Sequence, residues 1–180
     1  MEELERDLIN RIENGEFVIF IQPKFDVNTQ KVVGGEALIR RIKNGKIIMP
    51  NFFIPEYEKT GIINRLDIFV FEVICKKLKE WKDKGYKLIP ISINESAKDL
   101  YDKKHITKLK QIVEKYGINP NLIELELTET AVVENIKNAK EAEKRVHELG
   151  FVVSMDDFGV GYSSFSMLRK INIDVLKIDI

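Results

Sequence analysis

The sequence is poor in cysteine, in excess charge of either sign and in long apolar runs, and each shortage excludes a class of protein. The lone cysteine, Cys75, excludes an intrachain disulfide and argues against a cysteine-based metal site, so we expect a cytoplasmic protein. Basic residues number 29 and acidic residues also 29, whereas DNA or RNA binding needs clustered excess positive charge. No apolar run approaches the roughly 20 residues that span a bilayer, and residues 1–14 are too charged for a signal peptide.

The length of 180 residues and the 44% content of hydrophobic residues predict one domain over residues 1–180, with a sizeable core. Short β-branched runs alternate with stretches of helical periodicity. The predicted strands are Phe17–Gln22, Lys31–Leu38, Leu88–Asn94, Leu122–Leu127, Phe151–Met155 and Val175–Ile180. The predicted helices are Ile63–Lys84, a segment around 106–116, Glu134–Leu149 and Ser163–Lys170.

The order of these elements, mainly strand then helix, predicts an α/β fold with a largely parallel sheet. The first two strands are the exception, because the turn-like segment 26–29 between them is too short for a helical crossover. We therefore expect that pair to be antiparallel and the sheet to be mixed at its start. Pro90 lies inside the third run and indicates an irregular beginning of that strand.

Polar residues recur where the predicted strands end. In an α/β barrel the reactive groups lie at the carboxyl ends of the strands. A helix cap or a solvated charge would explain any one of them, and for Asp157 alone we favour that interpretation. Five coincident cases instead favour a Mg²⁺ or Mn²⁺ site that handles phosphate. The five are Glu36, Asn94, Glu126, Asp156 and Lys177.

Neighbouring charges at these strand ends need separate interpretations. Glu124 and Glu126 point to the same face of their strand, and Glu124, the earlier one, is the better candidate for a surface charge. Glu129 lies just past the strand, where it would support a loop. The adjacent Asp156 and Asp157 repel each other unless cations lie beside them, which two metal ions would provide.

Other ionisable residues have simpler interpretations. Lys177 is either a cation that orients an attacking water or an edge-strand lysine that discourages aggregation, and the pattern leaves both open. We expect His105 and His147 to be surface residues, because their neighbours are charged. Cys75 and Trp81 fall on the apolar stripe of the long predicted helix, where we expect them to pack in the core.

Short motifs follow one another in a characteristic order along essentially the whole chain. The chain resembles the EAL family of bacterial cyclic di-GMP phosphodiesterases, whose signature triplet stands here as Glu36-Ala37-Leu38. Any one of the other motifs would be weak, but together they are highly specific. They are Gln22-Pro23, Ile93-Asn94, Glu126-Leu127-Thr128-Glu129, Asp156-Asp157-Phe158-Gly159 and Leu176-Lys177-Ile178-Asp179.

The resemblance implies a modified TIM-type (β/α) barrel with one antiparallel strand. It implies an enzyme of bacterial second-messenger signal transduction that hydrolyses cyclic di-GMP to linear pGpG with one or two Mg²⁺ or Mn²⁺ ions. The roles that it implies are metal ligation by Glu36, Asn94, Glu126, Asp156 and Asp157, positioning of the nucleophilic water by Lys177, support of a loop by Glu129, and substrate contacts by Gln22 and Arg40.

The chain departs from the family pattern at three points. Val160 stands where the family usually has threonine, and Arg41 stands where it usually has tryptophan. The sequence stops at Ile180, in the sixth predicted strand, whereas a complete barrel takes about 250 residues. We therefore expect a single EAL-type domain that lacks the family's C-terminal portion, with about six of eight strands present.

Three explanations of the length stay open: an excised fragment, a naturally shortened protein, or a chain that closes by self-association, for example as a homodimer through its open barrel edges. The alternative function is a catalytically inactive EAL-type receptor for cyclic di-GMP, or a protein-interaction module.

Overall fold

A mixed sheet forms the centre of the molecule in the computed structural model, which describes residues 2–159 and 168–178. Within those residues, seven strands form one sheet. Six of them follow the order β1-β2-β4-β5-β6-β7, and β3 pairs with the C-terminal residues 41–43 of β2. The strands are Phe17–Phe25 (β1), Val32–Lys43 (β2), Lys46–Ile48 (β3), Ile91–Asn94 (β4), Ile123–Thr128 (β5), Val152–Phe158 (β6) and Val175–Ile178 (β7).

Helices occupy most of the connections between the strands, as the sequence predicted. The helices are Glu2–Glu13 (α1), Ile54–Thr60 (α2), Ile63–Asp83 (α3), Ala97–Tyr101 (α4), Lys103–Tyr116 (α5), Glu129–Glu134 (α6) and Ile136–Glu148 (α7). No helix in the described part of the chain is long and apolar enough to cross a membrane.

The strand directions confirm the predicted mixed sheet. β1 and β2 are antiparallel, whereas β2, β4, β5, β6 and β7 pair in parallel. In the described ranges β1 and β7 each pair with one neighbour, so the sheet is not closed. The architecture is therefore an incomplete barrel with one antiparallel strand.

The two faces of the sheet differ sharply in polarity. On β5, Ile123, Leu125 and Leu127 are buried in the main core together with apolar residues of α3, α5 and α7. Because successive strand residues alternate between faces, Glu124 and Glu126 lie on the opposite, inner face. The helices thus cover the apolar outer face, and the polar residues line the inside of the open barrel.

A second apolar cluster closes the beginning of the barrel. Two helices that contribute to it, α1 and α2, were not among the predicted elements. Leu8 of α1 and Tyr57 of α2 are fully buried there, against Phe17, Phe53 and Leu66. The signal for α1 was present in Leu4, Leu8 and Ile12, which recur every four residues. The many charges of this segment obscured that pattern.

The other differences from the predicted elements have local causes. Strand β2 runs five residues past the predicted end at Leu38, because it turns back through Asn44-Gly45, both with positive φ, into the hairpin strand β3. The predicted helix Glu134–Leu149 corresponds to α7, which begins at Ile136 because Asn135 caps it by accepting a hydrogen bond from the Asn138 amide. Glu134 is the last residue of the separate helix α6.

Two further predictions concern strand and helix ends. The third predicted strand begins at Ile91 rather than Leu88, as the proline at position 90 suggested. The predicted helix Ser163–Lys170 lies mostly outside the described residues, as do the last two residues of the sixth predicted strand.

His147 fastens α7 to the segment that precedes β7. It is half-buried. Its Nδ1 lies 2.6 Å from Glu143 Oε1, and its Nε2 lies 2.8 Å from Asp174 Oδ2. Asp174 Oδ2 also accepts a hydrogen bond from the Val153 amide. Partial burial alone would lower the pKa of His147, but the hydrogen bonds to Asp174 and Glu143 outweigh it and raise the pKa. The predicted surface position of His147 was therefore only partly right.

This bridge predicts a pH-dependent stability. Because the folded-state pKa of His147 is raised, its stabilisation is complete below the unfolded value of about 6.5 and is lost as pH rises through the folded value. We expect His147→Gln to lower the free energy of unfolding by about 1 kcal/mol at pH 6 and by less at pH 9. Urea unfolding at both pH values measures this, with Lys144→Gln on the same helix as control. An equal loss at the two pH values would contradict the assignment.

Candidate active site

Three carboxylates from three strands converge on the inner face of the barrel. Oxygen atoms of Glu36 on β2, Glu126 on β5 and Asp156 on β6 all lie within 4.8 Å of one another. Lys177 on β7 bridges them, with its Nζ 3.2 Å from Glu36 Oε2, 2.8 Å from Glu126 Oε2 and 2.8 Å from Asp156 Oδ2. The structure thus places four of the predicted site residues together.

The strand register explains this convergence. Asn94 pairs with Glu126, and Thr128 pairs with Asp156, so each strand presents its polar residue near the same edge of the sheet. Glu36 is not at the end of its strand as predicted, because β2 continues to Lys43. It lies where the parallel pairing of β2 with β4 ends, one residue before the last pair, Ala37 and Ile93.

Gly35 lets the strands beside Glu36 approach closely. A Cβ atom at this position would lie 2.7 Å from Ile21 Cγ2 and 3.1 Å from Ile91 Cδ1. Any larger residue at position 35 of β2 would push the neighbouring strands β1 and β4 away. The glycine before Glu36 is therefore a packing requirement of the site.

Asn94 is the fourth predicted ligand and lies beside the carboxylates. Its Nδ2 is 3.4 Å from Glu36 Oε1, where it donates a long hydrogen bond. Its side chain is exposed at the end of β4. An amide oxygen at this place adds one more hard oxygen atom to the carboxylates.

Burial sets the electrostatics of the site. The Glu126 side chain is fully buried, which raises its pKa, and hydrogen bonds from Lys177 and Ser92 act against that shift. For Lys177, burial would lower the pKa, but hydrogen bonds to Asp156 and Glu126 and the charge of Glu36 outweigh it and raise the pKa. Lys177 is therefore protonated at neutral pH and offsets the charge of the three carboxylates.

The residues present fit a hard divalent cation. Hard cations take carboxylate and amide oxygens, which is the donor set that Glu36, Glu126, Asp156 and Asn94 supply. One oxygen of the buried Glu126, Oε1, has no hydrogen-bond partner. A carboxylate buried so deeply needs positive charge beside it, and the ammonium group of Lys177 provides it in this structure.

The loop after β6 holds the second aspartate. Asp157 has a positive φ of 56° and donates its backbone amide to Asp156 Oδ1 at 3.0 Å. It is exposed, and the compact group of three carboxylates found among the described residues does not include it. Glu129, buried at the start of α6, accepts a hydrogen bond from the Gly159 amide at 2.9 Å. Val160 lies outside the described residues.

The two predicted substrate residues flank the carboxylates. Gln22 is the antiparallel partner of Glu36 on β1 and is exposed on the same face. Arg40 lies on β2 and lines a cavity of about 420 Å³, which Leu38, Pro50 and Asn94 also line. A mostly apolar cavity beside a cationic side chain thus adjoins the site at Asn94, although none of the three carboxylates lines it.

The interpretation of Glu124 as a surface charge was wrong. Its side chain is 8% exposed and lies on the inner face, because the partly closed barrel shields that face from solvent. Lys24 on β1 pairs with it, with Nζ 3.1 Å from Glu124 Oε1. Lys24 directly follows the Gln22-Pro23 motif but was not among the predicted site residues.

The interpretation of His105 as a surface residue was also wrong. The side chains of His105 and Glu95 are fully buried behind the β4–α4 connection, and His105 Nε2 lies 2.8 Å from Glu95 Oε2. The other ring nitrogen lies 2.8 Å from Asn64 Nδ2. Burial would lower the pKa of His105, but its hydrogen bond to Glu95 and the charge of Glu95 outweigh burial and raise the pKa, whereas burial raises the pKa of Glu95. The two side chains are thus partners in a buried hydrogen bond. Nothing in the spacing of the two residues signalled this contact between α5 and the end of β4.

Comparison with known proteins identifies the family. The family model described as "EAL domain" matches residues 2–180. The chain belongs to the EAL domain family. Among curated relatives, it is 39% identical over 179 residues to signaling protein YkoW of Bacillus subtilis (strain 168). It is 35% identical over 177 residues to the cyclic di-GMP phosphodiesterase PdeR of Escherichia coli (strain K12).

These alignments cover 98% of this chain but only 22% of YkoW and 26% of PdeR. The EAL chain therefore spans about a quarter of the length of these two relatives.

Solved EAL structures have the same fold. PaMucR phosphodiesterase in complex with c-di-GMP is similar with a TM-score of 0.89 and 29% identity, over 98% of this chain and 72% of that one. The FimX EAL domain of Xanthomonas citri in complex with c-diGMP has a TM-score of 0.83 at 22% identity, over 99% and 71% of the two chains. This second likeness supports the fold alone.

The buried pair of His105 and Glu95 predicts a strongly non-additive effect on stability. His105→Leu leaves Glu95 buried without its cation, so we expect a loss of about 3 kcal/mol in the free energy of unfolding. The double variant with Glu95→Leu removes both charges and should lose less than the single variant. Urea unfolding of both variants checks this, with Lys108→Ala as an exposed control on α5. A double variant that loses as much stability as His105→Leu, or more, would refute the coupling between the two side chains.

Proposed function

We propose that this EAL domain is a phosphodiesterase that hydrolyses cyclic di-GMP to linear pGpG with Mg²⁺ or Mn²⁺. The observation that carries the proposal is the convergence of Glu36, Glu126 and Asp156 on Lys177 beside the cavity of Arg40. The names of PdeR and of the PaMucR complex support the substrate. We also propose that residues 1–180 form a single EAL-type domain, located in the cytoplasm.

The proposed metal ligands are the oxygen atoms on the inner face. Glu36, Asn94, Glu126 and Asp156 would hold one cation, and Asp157 would contribute to a second. Bound cations lower the pKa of a coordinated water and neutralise charge that develops on the phosphate. Glu129 would keep Asp157 in place, and its hydrogen bond from the Gly159 amide supports that role.

Lys177 is the proposed cation that orients the attacking water. Its raised pKa keeps it protonated, and its position on the inner face directs Nζ toward the place where the carboxylates converge. From there the ammonium group can hold an attacking water or a phosphate oxygen in line with the scissile bond. The alternative of an edge lysine that only discourages aggregation is disfavoured, because Nζ contacts three carboxylates rather than solvent.

The cavity beside Arg40 is the proposed place of one end of the dinucleotide. Its volume of about 420 Å³ falls in the range of small-molecule sites, and its lining is mostly apolar, which suits the face of a purine base. Arg40 would contact the phosphate or the base edge, and Gln22, opposite Glu36, would contact the other half of the substrate.

The second candidate function is a receptor or interaction module that binds cyclic di-GMP without turnover. The open sheet favours it, because Leu176 and Ile178 on β7 are 37% and 68% exposed in the described structure. A homodimer that covers these edges is the corresponding proposal for a partner.

Product formation tests the proposed reaction. We expect the chain with Mn²⁺ to convert cyclic di-GMP to pGpG, and Glu36→Gln to lower the rate by at least about 100-fold, because a carboxylate ligand is lost. Chromatography of the nucleotides measures this, with Glu143→Gln as a control far from the cavity. Binding by calorimetry without conversion would support the receptor instead, and neither binding nor conversion would refute both.

Lys177→Met separates the chemistry from the metal site. Hydrolysis should fall by about 10²–10⁴-fold, because the group that orients the water is lost. The affinity for Mn²⁺ should not fall, since the ammonium group that occupies the carboxylates is gone. Single-turnover rates and Mn²⁺ titration measure the two effects, with the exposed Lys170→Met as control. Unchanged hydrolysis would exclude Lys177 from the reaction.

A further inference from the structure

A second lysine approaches the same buried carboxylate from the opposite side. Lys24 Nζ lies 3.1 Å from Glu124 Oε1 and 3.6 Å from Glu126 Oε1. Lys177 contacts the other oxygen of Glu126, Oε2, at 2.8 Å. The carboxylate of Glu126 is therefore held between two ammonium groups, one from each edge strand of the described sheet.

This contact crosses the interior of the barrel. Lys24 lies on β1, which is separated from β5 in the sheet by β2 and β4, so the curvature of the sheet brings the two together. Gly34 is the partner of Lys24 on β2, and a Cβ atom there would lie 3.8 Å from Lys24 Cδ and 3.2 Å from the Pro90 carbonyl oxygen. The side chain of Lys24 thus passes over a glycine on its way to β5.

The charges around Glu126 need this second cation. Glu124 and Glu126 lie two residues apart on one face of β5, with side chains 8% and 0% exposed. Two ionised carboxylates so close and so buried repel each other unless a cation lies between them. Lys24 is that cation, and together with Lys177 it leaves Glu36, Glu124, Glu126 and Asp156 with a formal charge of −2. One divalent ion would neutralise that charge.

We propose that Lys24 is a positioning residue for the metal ligand Glu126. By bridging Glu124 and Glu126, it pairs with Oε1 of Glu126, while Oε2 faces Lys177, the residue that also contacts Glu36 and Asp156. Groups that hold metal ligands in place from behind commonly change metal affinity 10–100-fold when they are removed. This inference rests on the proposed metal site but not on the identity of the substrate.

The sign of the effect separates positioning from simple charge. If Lys24 acted through its charge alone, its removal would make the cluster more negative and would strengthen Mn²⁺ binding. Positioning predicts the opposite, a loss of affinity, because the Glu126 side chain is no longer held at Oε1 and turns away from the other ligands. The same test applied to Lys177 should give no loss, since Lys177 occupies the carboxylates rather than supporting them.

The experiment is a titration of the 180-residue chain with Mn²⁺, in which electron paramagnetic resonance measures the free ion. We expect Lys24→Met to weaken Mn²⁺ binding at least about 10-fold. Lys24→Arg keeps the cation and should restore affinity to within about threefold of the parent. Glu124→Gln keeps Lys24 beside Glu126 and should also stay within about threefold. Circular dichroism and thermal unfolding of each variant show whether it is folded.

Three results would overturn the proposal. Lys24→Met that binds Mn²⁺ as well as the parent, or more tightly, would show that Lys24 only neutralises Glu124. Equal losses in Lys24→Met and Glu124→Gln would show that the pair matters only for packing. A parent chain that binds no Mn²⁺ would overturn this inference and the metal site together, whereas a parent that binds Mn²⁺ with an unaffected Lys24→Met would overturn this inference alone.

If Lys24→Met does not fold, the affinity of Lys24→Arg relative to Glu124→Gln decides, and a loss in Lys24→Arg as large as 10-fold would refute the role.

Discussion

The structure depends on a positive charge that stabilises three neighbouring carboxylates inside the protein. Glu36, Glu126 and Asp156 lie within 4.8 Å of one another, and Glu126 is fully buried. Such a group is unstable without positive charge, because burial removes the water that would otherwise solvate the carboxylates. Lys177 supplies that charge from β7, and the same place suits a divalent cation. The interaction that stabilises these carboxylates thus involves the same side chains that we propose as metal ligands.

The division of the sheet into an apolar outer face and a polar inner face makes this possible. The helices α3, α5 and α7 bury the outer face, which supplies most of the hydrophobic stabilisation. The inner face is then free to carry glutamates, serines and lysines. Ser92 and Ser154 are fully buried there, beside Glu124 and Glu126. A sheet of this kind can place its reactive groups without weakening its core.

Two contacts between charged side chains extend the site beyond its three carboxylates. Lys24 joins β1 to β5 across the barrel interior, and His105 joins α5 to the end of β4 through Glu95. Both contacts bring a cation to a buried carboxylate that lies within two residues of a proposed metal ligand. The positions of Glu126 and Asn94 are therefore coupled to elements far along the chain, and changes in those elements would be felt at the site.

The sequence by itself determined the alternation of strands and helices, the antiparallel start and the shared face of Glu124 and Glu126, because periodicity along an element and the length of a connection are local properties. The ordered motifs also identified the family. Only the tertiary structure decided which charges meet. Glu124 became buried and His105 became the partner of Glu95 because the curvature of the sheet and the packing of α5 bring together residues that are distant in the chain. Lys24 pairs with a residue 100 positions away, and no local pattern encodes a contact of that range.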